Sequence, residues 1–129
     1  GADAPELQPP ERLRALVGAL LSAYRDADAE HRVQIEGMRL LPEAEQEMLK
    51  VLERRLVATF AGAVRALNPA AFESRPLIKP VTMALFGMLN WFYMWFREGG
   101  GITREGYAEL ATHLLVSGVE RLQEMPAGK

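Results

Sequence analysis

Residues 85–96 constrain the fold of this chain more than any other stretch. This segment holds both tryptophans of the protein and three of its five phenylalanines, and a second apolar helical pattern follows it after three consecutive glycines. A chain of 129 residues cannot leave such a segment in water. We therefore expect one side of the segment to lie in the core and another side to lie against a partner or a ligand.

Helical periodicity extends through most of the chain, and no run of alternating β-branched residues indicates a strand. Apolar residues recur at helical spacing over residues 9–27, 28–41, 42–67, 77–97 and 103–125. We therefore predict an all-α fold, a bundle of five or six helices in which the aromatic segment is one continuous helix. The expected domain covers residues 9–125, with a loose arm at 1–8 and a frayed tail at 126–129.

Charge and cysteine content exclude several classes of function. The net charge is −2 and the basic residues are scattered, so the chain itself is not expected to bind nucleic acid. The absence of cysteine excludes disulfides and thiolate metal sites, and it fits a cytoplasmic protein. The chain begins with Gly rather than Met and shows no secretory signal, so we expect a fragment or a processed chain.

A membrane span is the main alternative for residues 77–96, which are just long enough to cross a bilayer. However, Lys79, Pro80 and Asn90 interrupt the apolar stretch, and no other segment resembles it. This pattern favours a buried interface helix, and we expect no membrane partner.

Motifs for catalysis are absent from the sequence. It contains no glycine-rich phosphate loop, no serine elbow and no His-Glu-x-x-His motif. The two histidines, His31 and His113, are too far apart in sequence to suggest a metal pair. We therefore expect neither an enzyme nor a metal or cofactor.

One series of residues resembles a known family. It runs through Phe86-Gly87-Met88-Leu89-Asn90-Trp91, Trp95-Phe96-Arg97, Gly100, Ile102-Thr103-Arg104-Glu105, Tyr107-Ala108-Glu109-Leu110 and Gly118. This series resembles the C-terminal region of TetR/AcrR-type transcriptional regulators, and Pro10-Glu11-Arg12-Leu13 looks like the start of the helix that joins the family's DNA-binding head to its body. The helix-turn-helix head itself is absent from this sequence.

The resemblance implies the sensing and dimerisation body of a bacterial repressor, which contacts DNA only through a missing N-terminal domain. The last two helices of each subunit would form a four-helix-bundle homodimer interface, and a small effector would bind among the middle helices. The expected dimerisation residues are Leu85, Leu89, Tyr107, Ala111, Leu114, Leu115, Gly118 and Leu122.

Large apolar side chains are the candidates for an effector pocket, because such pockets are mostly hydrophobic with a few orienting polar groups. The candidate ligand-binding residues are Met38, Phe60, Met88, Asn90, Trp91, Phe92 and Trp95. For any single one of them, packing in the core or at the dimer contact is the default interpretation. We expect Asn90 to be a buried amide that bonds a neighbouring backbone or dimer contact, or else orients a ligand.

The expected effector is apolar or aromatic, and the resemblance suggests an acid or its coenzyme A thioester. His31 and Arg39 are weaker candidates for contacts to an anionic group, and a solvated face shared with Glu30 and Glu36 is the default interpretation. A different class of function also fits the sequence, namely a stand-alone helical interaction module or small-molecule carrier unrelated to DNA. A helix-turn-helix pattern before residue 1 would favour the regulator.

Overall fold

The computed structural model describes residues 7–37 and 42–126, with the side chains of residues 24–37 excepted. Its elements are α1 (Pro9–Gly37), α2 (Glu43–Leu67), α3 (Pro69–Ser74), α4 (Ile78–Asn90), α5 (Phe92–Trp95), α6 (Arg104–Glu120) and a 3-10 turn at Leu122–Glu124. The prediction of an all-α bundle is confirmed, since the described residues contain helices and no strand. The predicted arm and tail fall largely on residues 1–6 and 127–129, which lie outside the described residues.

Helix α1 corrects the prediction of two separate helices at the start of the chain, over residues 9–27 and 28–41. It is one helix, Pro9–Gly37, that continues through the expected boundary at Asp28. The residues around that boundary include Ala27, Ala29 and Glu30, which are strong helix formers, and no Gly or Pro separates them. Without a breaker, Asp28 does not start a new helix.

Helix α2 begins and ends as the sequence predicts. Glu43 and Glu45 lie in its first turn, where negative charge is favoured, and the helix ends at Leu67, just before Asn68-Pro69. Pro69 then starts α3, because a proline is tolerated at a first helical position where its missing N–H has no partner. The Asn68 side chain donates to the backbone oxygen of Val119 over 2.8 Å and thereby joins this corner to the end of α6.

The aromatic segment is interrupted at Trp91, where one continuous helix was predicted. The backbone N–H of Met94 donates to the oxygen of Trp91 over 3.0 Å, and this i→i+3 bond tightens the chain between α4 and α5. Pro80 lies in the first turn of α4 and removes no helical hydrogen bond there. After α5, Gly99 has a φ of 78°, which is the left-handed conformation that favours glycine.

Helix α6 begins with Thr103 as its N-cap. The Oγ1 atom of Thr103 accepts a hydrogen bond from the backbone N–H of Gly106 over 2.9 Å. A Cβ atom on Gly106 would lie 3.0 Å from this Oγ1 atom and 3.1 Å from Cγ1 of Ile102. The absence of a side chain at residue 106 therefore allows the cap to be this compact.

One core joins the helices. Helix α1 packs against α2 and α6, and α2 also packs against α4. The buried apolar residues are Leu13, Val17 and Leu21 of α1, Phe60, Ala63 and Val64 of α2, Phe72 of α3, Leu85, Phe86 and Leu89 of α4, Phe92 of α5, and Ala108, Ala111, Leu115 and Val119 of α6. None of the helices in the described residues combines the length and apolar character that a bilayer crossing requires.

Candidate functional site

An aromatic cluster joins α5 to α6. The Phe92 ring stacks on the rings of Phe96 and Tyr107, with centroids 4.4 and 4.7 Å apart, and the Trp95 ring meets the Tyr107 ring edge-on at 5.2 Å. The Tyr107 hydroxyl donates to the backbone oxygen of Met88 over 3.1 Å, and burial raises the pKa of this phenol above its ordinary value. Rings at these separations are in contact, so the side chains of the cluster pack directly against one another.

Phe60, Met88 and Phe92 were predicted to contact an effector, and the structure places all three in the chain's own core. The Phe60 ring lies 4.9 Å from the Phe86 ring and is fully buried. Met88 is half-buried against the same core, and Phe92 lies within it. None of the three borders either hollow described below. A ligand contact at these residues stays a prediction.

Asn90, Trp91 and Trp95 lie on the surface. The prediction that Asn90 is a buried amide is wrong, since the residue is exposed. Helix α4 turns Leu85 and Leu89 inward, and the next residue along a helix points about 100° away. Met38 and Arg39, which were predicted to contact a ligand, lie outside the described residues. The side chain of His31, the other predicted anion contact, also lies outside them.

The predicted dimerisation residues divide into three groups. The structure buries Leu85, Leu89, Ala111 and Leu115 in the core of this single chain. Because these four side chains pack within a single chain, a contact with a partner at these positions stays a prediction. Tyr107 and Leu122 are half-buried against the same core. Leu114 and Gly118 are exposed.

Five large apolar side chains are exposed on residues 91–95 and on α6, and the ring contact between Trp95 and Tyr107 joins these two parts of the chain. This surface, here named the tryptophan face, consists of Trp91, Met94, Trp95, Leu110 and Leu114. Trp91 is 60% exposed and Leu114 is 56% exposed, and the other three are also about half exposed. The spacing of Leu110 and Leu114 places them on the same side of α6 as Tyr107, whose ring contacts Trp95.

Two exposed glycines flank the tryptophan face. Gly87 lies one helical turn before Trp91, and Gly118 lies one turn after Leu114. A Cβ atom added at either position would meet nothing within 4 Å. The backbone of α4 and α6 is therefore accessible at these edges to another helix.

Arg104 is a buried cation that the sequence analysis did not single out as a site residue. It is 4% exposed, and its guanidinium lies over the rings of Phe92 and Phe96, 5.2 and 4.9 Å from their centroids. Its Nη1 donates to the backbone oxygen of Leu21 on α1 over 3.2 Å, and its Nη2 donates to Glu98 over 3.4 Å. One sequence signal was present: a cation at the first position of a helix opposes the helix dipole.

Two hollows lie between α1 and α6. The inner hollow has a volume of about 80 Å³, and its walls are formed by Arg14, Gly18, Leu21, Ser22, Arg104, Glu105 and Ala108. The outer hollow has a volume of about 220 Å³ and is more open, with walls from Pro10, Glu11, Arg14, Glu109, Thr112, His113 and Val116. Arg14 borders both hollows and forms an ion pair with Glu109.

Comparisons with known proteins agree with this architecture. The family described as "Tetracyclin repressor-like, C-terminal domain" matches residues 6–119, which is most of the chain. The crystal structure of a TetR-family transcriptional regulator from Bordetella parapertussis 12822 is similar, with a TM-score of 0.79 and 27% sequence identity. That match covers 96% of this chain and 63% of the other, so this chain spans less than two thirds of that protein.

No curated protein matches the sequence. The family match extends over all six α-helices except the last residue of α6, and the similar structure has the same fold over nearly the whole chain. The chain belongs to the tetracyclin repressor-like C-terminal domain family, the C-terminal part of TetR-family transcriptional regulators.

Proposed function

We propose that this chain is the effector-binding and dimerisation domain of a TetR-like repressor that acts in the bacterial cytoplasm. In this proposal the domain has no catalytic role, and DNA is bound by a separate N-terminal domain. The observation that carries the proposal is the tryptophan face, five exposed apolar side chains on residues 91–95 and on α6.

The chemistry of this face favours a protein partner. All five of its side chains are apolar, and two are tryptophans, the residue type most enriched among the side chains that dominate binding energy. A contiguous exposed apolar surface marks an interaction site in soluble proteins. Gly87 and Gly118 at its edges allow a helix to approach closely.

A second copy of the same chain is the partner we propose. In a twofold dimer, the same apolar surface of each subunit packs against its counterpart on the other. The surfaces of both chains are then buried in one interface. Two helices from each subunit then form a four-helix bundle. This arrangement retains the predicted dimer contact of the last two helices, but it assigns the contact to Trp91, Met94, Trp95, Leu110 and Leu114.

Static light scattering on purified protein tests this assignment. At micromolar concentration we expect a dimer, and we expect Leu114→Glu to give a folded monomer, because a charge would then have to be buried in an apolar interface. The matched control is Leu52→Glu on α2, since Leu52 is also an exposed helical leucine, at 52%. This control should remain dimeric.

The proposal of a dimer through the tryptophan face would be overturned if the unaltered protein were monomeric. A monomer caused by Leu52→Glu rather than Leu114→Glu would also overturn it, since Leu52 lies on a separate apolar stripe with Met48, Val51 and Leu56. Circular dichroism of each variant reports whether the helices are intact.

A further inference from the structure

We propose that Arg104 is the positioning residue of the tryptophan face, because it holds α5 in the orientation in which a second copy of the chain can bind. Arg104 is itself bonded to α1, so it connects this face to the first helix. The inference rests on the proposed dimer and deepens it, since it names the buried side chain on which the dimer contact depends.

Helix α5 is too short to set its own orientation. It spans only the four residues Phe92–Trp95, whereas isolated helices shorter than about 12 residues are marginal in water. This single turn carries Met94 and Trp95 of the tryptophan face, and Trp91 is its N-cap residue. Three of the five side chains of the face therefore depend on the contacts that hold α5 against the rest of the chain.

Phe92 is the buried residue of α5, and Arg104 contacts it directly. The Phe92 side chain is 2% exposed, and its ring meets the Trp95 ring edge-on at 5.2 Å. The Arg104 guanidinium lies over the rings of both Phe92 and Phe96, and a cation is attracted to the face of an aromatic ring. Phe92 is the first residue of α5 and Phe96 follows its last residue, so Arg104 holds the turn at both ends.

The other contacts of Arg104 fix the guanidinium in place. Its Nη1 donates to the backbone oxygen of Leu21 on α1, and its Nη2 donates to Glu98 in the loop between α5 and α6. Arg104 is the first residue of α6, so four parts of the chain meet at one buried side chain. A guanidinium suits this position because its N–H donors form a planar fork that also stacks on aromatic rings.

Burial makes these contacts depend on one another. A buried charge is unfavourable unless it keeps its partners, because water does not reach it to replace them. A shift of α5 would remove the rings from the guanidinium, and a shift of α1 would remove the oxygen of Leu21. The position of Trp95, which contacts Phe92, is therefore set together with the position of α1.

The first test is Arg104→Met, which keeps much of the length of the side chain but removes its charge and its donors. This variant should fold, because an apolar side chain of similar size often replaces a buried charge without loss of stability. The side chain of Glu98 is 70% exposed, so its carboxylate remains in water after the substitution. We expect the dissociation constant of the dimer, measured by analytical ultracentrifugation, to rise at least about tenfold.

The matched control is Arg14→Gln. Arg14 also joins α1 to α6, through its ion pair with Glu109, but it lies outside the aromatic cluster and its side chain is 48% exposed. This control should keep the dissociation constant of the unaltered protein. A second variant, Arg104→Lys, retains the charge without the planar fork, and it should also weaken the dimer.

Tryptophan fluorescence separates positioning from a general loss of stability. Trp91 and Trp95 are the only tryptophans of the chain and both lie on the tryptophan face, so the emission reports this face alone. The comparison is between Leu114→Glu, the expected monomer, and the double variant Leu114→Glu/Arg104→Met. Without denaturant, the emission maximum should shift in the double variant, although neither protein is a dimer. A side chain that only stabilised the fold would leave the emission of the folded monomer unchanged.

The role of Arg104 would be overturned if Arg104→Met or Arg104→Lys, folded by circular dichroism, dimerised with the affinity of the unaltered protein. Equal emission maxima in the two Leu114→Glu proteins would overturn it as well. Both results leave the unaltered protein a dimer, so they are distinct from a failure of the proposed dimer, in which the unaltered protein is monomeric.

Discussion

Tyr107 connects the aromatic cluster to α4 and titrates differently in the folded and unfolded chain. Its hydroxyl donates to the backbone oxygen of Met88, and burial raises its pKa above the ordinary value of 10.0. The native state therefore holds this proton more tightly than the unfolded state does. By linkage, the tighter binding of this proton stabilises the native state. This stabilisation is fully present below pH 10 and is lost as the pH rises through the higher native pKa.

We therefore predict that Tyr107→Phe makes the unfolding free energy fall less steeply above about pH 10. Urea unfolding of both proteins at a series of alkaline pH values measures the two slopes. Other ionisable groups are common to both proteins, so the difference between the slopes isolates Tyr107. Equal slopes would contradict the prediction.

The sequence located the aromatic segment but not the direction of its side chains. Residues 85–96 are apolar on nearly every side, so periodicity alone does not distinguish the core face from the exposed face. The distinction depends on neighbouring helices, which bury Leu85 and Leu89 and leave Trp91 exposed. The same reason explains the error at Asn90, because a polar residue within an apolar run was taken to be buried.

Helix α6 depends on its N-cap at the end where the aromatic cluster lies. Replacing Thr103 with Ala removes the acceptor for the Gly106 N–H, and we predict a loss of about 1 kcal/mol in unfolding free energy. Urea unfolding measures this loss. Thr103→Ser retains the hydroxyl and should stay close to the unaltered protein, whereas an equal loss in both variants would contradict the role of the cap.

Helix ends were predictable where the chain itself carries the signal. The end of α2 at Leu67 and the cap at Thr103 follow from local residues, Asn68-Pro69 and the Thr103 side chain. The continuity of α1 was missed because Asp is a residue type that often caps a helix. Asp28 has no Gly or Pro beside it, so the helix continues through this position. The interruption at Trp91 has no strong breaker beside it, since neither Gly nor Pro lies within three residues of Trp91.

At the scale of the whole molecule, the hollows between α1 and α6 were beyond prediction from sequence. Their walls combine residues about 90 positions apart, such as Arg14 and Glu105, and periodicity carries no information on which distant helices pack together. The burial of Arg104 was beyond prediction for the same reason. It bonds Leu21 on α1, 83 positions away, which only the fold brings near.

Dimerisation through the tryptophan face has a thermodynamic consequence for the whole molecule. When a dimer unfolds to separate chains, mass action makes the unfolding midpoint depend on protein concentration. For a dimer of this size, a roughly hundredfold rise in concentration should raise the midpoint by about 5 °C. Scanning calorimetry at several concentrations measures this shift.

Leu114→Glu should abolish the concentration dependence, because the charged side chain prevents association, whereas Leu52→Glu should preserve it. A midpoint that is independent of concentration in the unaltered protein would mean that folding does not depend on a partner, and the exposed tryptophans would then need a different explanation.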